Sequence, residues 1–251
     1  MDSPNTDMCI DDCQFLQINE VFKRVRELVA IEEALPMHDG HGKYLLDAEN
    51  ALLEYLKQNP NDMEGWLLLL CIETNPPLED PYRIIEFAQR FLENYPLNPY
   101  ALLFWSYADY YLMANDNEEL YRQLYEAKSD DTEIMSMIEV AKARYCEKRD
   151  IKKYEECLLA SIYYCDYHVT NYGMLGQFYI EHNRIKEGIA LIRQGFKNIK
   201  RLVTPENAGI DSDPVSLQDF LNEFFTGTTI VYVEYGRLCN LIQEAEGKKI
   251  D

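Results

Sequence analysis

The stretch Tyr172-Gly173-Met174-Leu175-Gly176-Gln177-Phe178-Tyr179 carries the reading of the fold, together with Gly188, Ile192 and Gly195 downstream. Tyr172, Leu175, Gly176 and Tyr179 recur at intervals of three and four, the spacing of one face of a helix. The second set has the same spacing and predicts a second helix. A glycine inside a helix costs about 1 kcal/mol relative to alanine. Several at matching positions therefore imply a compensating contact, in which two antiparallel helices approach where neither presents a side chain. The expected unit is a tight helical hairpin.

Working outward, the same spacing recurs after about 34 to 36 residues. One unit upstream, Ile138, Ala141, Lys142 and Tyr145 occupy the equivalent positions, with lysine in place of glycine, and Tyr154, Leu158 and Ser161 follow on the next helix. Further back, the turn Asn59-Pro60-Asn61-Asp62 leads into Trp66, Leu69 and Leu70, and is preceded by Ala48, Leu52 and Tyr55. Between these lies a unit from about Pro99, with Leu102, Trp105 and Ser106, then Leu120, Leu124 and Ala127. It needs extra residues around Asn115 to Asn117, and its neighbour needs them at Pro76-Pro77.

Over roughly residues 43–202 the pattern resembles the tetratricopeptide repeat family; helical hairpins of a related class are the alternative. The resemblance implies an all-α fold, a right-handed superhelical array of hairpins with helical caps at both ends. The expected organisation is a disordered segment over 1–12, the array over 13–202, and a linker loop with C-terminal capping helices over 203–251 in the same domain. An amphipathic helix is expected from Cys13 to Leu35, ended by Pro36 and the His38-Asp39-Gly40-His41-Gly42 segment. Residues 215–247 return to helical periodicity. Thr228 to Val233 has strand propensity, but with nothing to pair against, helix is preferred.

Composition narrows the function. With 47% hydrophobic residues and 19 tyrosines, this is a folded chain. Its 44 acidic and 24 basic residues give a formal charge of −20. That field repels nucleic acid and anionic membranes; it either serves solubility, as in many acidic helical proteins, or attracts a basic protein as partner. Seven cysteines without a C-x-x-C pair read as reduced thiols. The start Met1-Asp2-Ser3-Pro4 lacks the basic and apolar regions of a secretion signal, and no apolar run is long enough to span a bilayer. A cytoplasmic protein is expected.

In arrays of this family the first helix of each hairpin lines a concave groove. By register the expected partner-binding residues are Glu64 and Leu67, then Tyr100, Leu103, Tyr107 and Tyr110, then Glu139, then Gln177, with Cys71, Ser136, Ala143, Thr170 and Gly173 beside them. A subset of the family grips a peptide carboxylate with lysine, arginine and asparagine at such positions. None of these residues is basic or asparagine, so that mode is not expected. The groove reads as aromatic and weakly acidic, and tyrosine suits protein recognition because it offers a large contact area and a polar tip. Packing against neighbouring helices is the competing role for the same tyrosines.

Catalytic signatures are absent: no P-loop, Gly-x-Gly-x-x-Gly, His-Glu-x-x-His or Gly-x-Ser-x-Gly occurs. His38-Asp39-Gly40-His41 lacks a further ligand at metal-site spacing. The sequence therefore predicts a non-enzyme without cofactor or metal. It would hold another protein, as an immunity protein or secretion chaperone does, or serve as a scaffold subunit or homodimer.

Overall fold

The structure is a computed structural model, described here for residues 11–35, 42–75, 77–115, 117–199 and 231–247. Among them are eleven α-helices and one π-helical turn, and no strand. The helices divide into two compact units, 1–94 and 95–251, with the boundary in the turn after Asn94.

The first unit holds α1 (Asp11–Ala34), α2 (Lys43–Gln58), α3 (Met63–Glu73) and α4 (Pro81–Asn94). Consecutive helices pack on each other. The buried residues of α4, Ile84, Phe87, Ala88 and Phe91, fall at the three- and four-residue spacing of a single helical stripe. They share the interior with Leu45, Leu52, Trp66, Leu69 and Leu70, and Trp66 stacks on Phe91 with ring centroids 6.3 Å apart. The helix expected from Cys13 begins at Asp11 and ends at Ala34. Residues 1–10 and the His38–His41 segment lie outside the described residues.

The α1–α2 junction is held by a carboxylate. Buried Glu32 of α1 accepts hydrogen bonds from Gly42 N at 2.6 Å and Tyr44 N at 2.9 Å, and so caps the start of α2. Gly42 itself has φ +99°, a conformation that L side chains rarely adopt.

The second unit holds α5 (Pro99–Tyr107), a π-helical turn (Ala108–Leu112), α6 (Glu118–Glu126), α7 (Thr132–Cys146), α8 (Ile151–Tyr164), α9 (Val169–Glu181), α10 (Ile185–Ile199) and α11 (Val231–Gly247). Asn and Asp residues set the helix starts. Asn98 accepts from Tyr100 N and Ala101 N ahead of Pro99, Asn117 from Leu120 N, Asp131 from Glu133 N and Ile134 N, and Asp150 from Lys153 N. The acidic run at Asp130-Asp131-Thr132-Glu133 is thus a helix start.

The α9–α10 hairpin is the close contact read from the sequence. A Cβ at Gly188 would lie 2.4 Å from the carbonyl oxygen of Gly176, and one at Gly176 would lie 2.4 Å from Ile192 Cγ1. Tyr172 is buried at the base of this hairpin, where its hydroxyl accepts from Asn198 Nδ2 at 2.8 Å. Ala143, Tyr154, Leu158, Leu175 and Phe178 form a core between α7, α8 and α9. Leu238, Ile242 and Ala245 of α11 cover Ile180, Ile189 and Ile192. Val231 to Val233 are helical, as preferred over strand; residues 201–230, including the expected loop over 203–214, lie outside the described residues.

Candidate partner-binding surface

In the first unit, Glu64 is exposed on α3 and pairs with Arg26 of α1 at 3.3 Å. Leu67 is only 5% exposed and belongs to the interior, as does Cys71. α3 is apolar nearly all round, so its register cannot separate a groove face from a packed face. Glu64 is the residue of this group that offers side-chain surface.

In the second unit, α5 and its π-helical turn present Tyr100, Tyr107 and Tyr110, all half-buried. Leu103, expected between them, is 2% exposed and packed. Burial, with the charge of Asp131 nearby, raises the phenol pKa of Tyr100. The Tyr110 hydroxyl donates to Glu147 Oε2 at 3.4 Å, and the guanidinium of Arg144 stands 5.3 Å from the centre of its ring. Burial lowers Arg144 to about 10, which leaves it charged at neutral pH, and raises Tyr154 to about 12. Gln177, half-buried on α9, donates to Glu181 Oε1 at 2.8 Å.

Glu139 is drawn inward. Its carboxylate pairs with Lys142 at 2.8 Å, and the lysine ammonium lies 5.2 Å from the centre of the Tyr125 ring. This accounts for the lysine at the close-packing position of the hairpin: its stem runs along the helices and its charge is met by Glu139 and an aromatic face. Ser136, expected beside the groove, is fully buried. Its Oγ lies 3.1 Å from His168 Nδ1 and accepts from Asn171 Nδ2 at 2.9 Å, which ties α7 to the start of α9.

The structure thus brings Tyr110 together with Arg144 and Glu147, two residues that the repeat register does not select, and near Tyr154, which the register places at a packing position. The local irregularity after Tyr110 marks this region in the sequence without naming Arg144 or Glu147. The extra residues placed around Asn115 to Asn117 are accommodated partly by the π-helical turn, whose Asp109 is buried and accepts from Asn117 N at 3.1 Å. A π turn widens the helix by one residue and is frequent at functional sites.

Chemically, this surface can stack, hydrogen-bond and pair charges. The Ser136–His168 contact has the atoms of a nucleophile and base, but both are buried and burial lowers the imidazole to about 4. Burial also raises the Cys157 and Cys165 thiols to about 12, so neither is a thiolate at neutral pH. Among the described residues, no group of three or more His, Cys, Asp or Glu is placed to hold a metal ion, and no helix is long and apolar enough to cross a membrane.

No family model and no curated protein matches the sequence. Among solved structures, the crystal structure of MamA, a protein with tetratricopeptide repeats, is similar with a TM-score of 0.52. The match covers 67% of this chain and 98% of MamA, at 18% sequence identity. At that identity the likeness speaks for the fold. This chain is all-α and shares the tetratricopeptide-type helical-repeat fold of MamA.

Proposed function

We propose that the chain is a non-enzymatic protein-binding module that holds a basic partner and masks or presents it, as an immunity protein or a secretion chaperone does. The observation that carries this reading is the half-exposed set Tyr100, Tyr107 and Tyr110, which runs into Glu147 on a chain of charge −20. Tyrosine rings give contact area at low entropic cost, and the acidic field speeds encounter with a basic surface. Tyr107→Ala tests the reading: partner capture falls at least about tenfold while the melting temperature stays within a few degrees. A drop in melting temperature with capture unchanged assigns Tyr107 to the core instead.

A second reading, a scaffold subunit or homodimer, draws on the outer face of α8. There Ile151 and Leu159 are exposed, and Tyr163 is 86% exposed. Exposed apolar side chains grouped on one helix mark contact surfaces. The solution mass separates the two readings: a stable dimer that recruits no other protein favours the scaffold.

A further inference from the structure

The first unit contains a charge cluster that the binding surface does not use. Glu49 of α2 and Glu73 of α3 are 5% and 0% exposed at their side chains, and both face one guanidinium, that of Arg83 on α4. Arg83 is partly open to solvent and lies over the Phe87 ring, 5.5 Å from its centre. Its Nη2 is hydrogen-bonded to Glu49 Oε1. What remains for Glu73 is poorer: Nη2 also reaches Glu73 Oε1, at 3.4 Å. Nε approaches Glu73 Oε2 at 3.2 Å, but that oxygen receives no aligned hydrogen bond. On the faces packed around Glu73, α2 brings Glu49, α4 brings Arg83, and the turn before α4 brings Asp80. Among the described residues, two buried carboxylates, with a third nearby, thus share one cation.

We propose that this cluster is a proton-operated latch: one proton on Glu73 lets α2, α3 and α4 close around Arg83, and loss of that proton loosens them. An ionised carboxylate at a dry site is costly unless it is fully paired, and here the pairing goes first to Glu49. Burial, with Asp80 nearby, pushes the Glu73 carboxyl up from its ordinary 4.5 to about 7. The folded protein therefore holds the proton in a range where the unfolded chain has released it. The resulting stability is complete below about 4.5 and declines as the pH rises through about 7. A protein with this device is tighter in a mildly acidic compartment than in a neutral one.

The test uses the full chain with Trp105→Phe. This leaves Trp66 of α3 as the fluorescent indole and removes an indole N–H that has no hydrogen-bond partner. Denaturant unfolding is followed between about pH 5.5 and pH 8. The expected result is an unfolding equilibrium constant that rises at least about tenfold across that range, the equivalent of one unit of pKa. Glu73→Gln, a neutral analogue of the protonated acid, flattens the profile. A parent protein insensitive to pH, or a Glu73→Gln variant with the parent's slope, overturns the latch. Should Glu73→Gln fail to fold, Glu49→Gln serves instead. It releases Arg83 to Glu73 and moves the transition to lower pH, and an unmoved transition is equally fatal to the proposal.

Discussion

Gly188 shows how much one missing side chain can specify. Its Cα faces the carbonyl oxygen of Gly176 so closely that a methyl group would meet backbone at 2.4 Å and Ile180 Cγ1 at 2.8 Å. Backbone cannot turn aside as a side-chain tip can, so Gly188→Ala forces α9 and α10 apart. The expected cost is about 1–3 kcal/mol, typical of overpacking, despite alanine's better helix propensity. Chemical denaturation checks this, and a stabilised variant would show that α9 and α10 have room for the added methyl group. This contact was legible in the sequence because only glycine is compatible with it. Arg144 was not legible, since nothing in its local pattern separates a half-buried arginine beneath Tyr110 from a solvated one. Ser136 was misplaced for a related reason. Register set it beside the groove, but the start of α9 covers it through His168 and Asn171.

At the scale of elements, periodicity and capping residues carried most of the information. Asp131, Asn98, Asn117 and Asp150 open their helices where the sequence changes from turn to apolar pattern. Two features escaped that reading. The π-helical turn at Ala108–Leu112 breaks a count that assumes regular helix, and it brings Tyr110 to Glu147. The capping of α2 by Glu32 joins residues 10 and 12 positions apart, through a loop whose path the sequence does not dictate. Glu32→Ala leaves two backbone N–H groups without that acceptor, and the Gly42 bond is buried. The expected loss is about 1–3 kcal/mol, and Glu32→Gln, which keeps one acceptor oxygen, recovers part of it. Equal stability of Glu32→Ala and the parent in thermal unfolding would show that the cap contributes nothing.

For the whole molecule, a net charge of −20 sets the long-range behaviour and the helical-repeat fold sets the kind of surface on offer. Charge of this size makes recognition of a basic partner fast and salt-sensitive, because screening at 0.15 M ionic strength acts over about 8 Å. The same excess of acid is managed internally by pairing, as Arg184 does with Glu155 at 2.6 Å and Arg193 with Glu246 at 2.6 Å. The central claim is that this face of tyrosine and acid holds a basic protein. Its most direct test is capture from native lysate by the parent and by a Tyr107→Ala, Tyr110→Ala variant, each at low and high salt, with mass spectrometry of what is retained. The account predicts one basic protein in equimolar amount on the parent at low salt, released at high salt and absent from the variant. Equal retention by both proteins, or retention indifferent to salt, would contradict it.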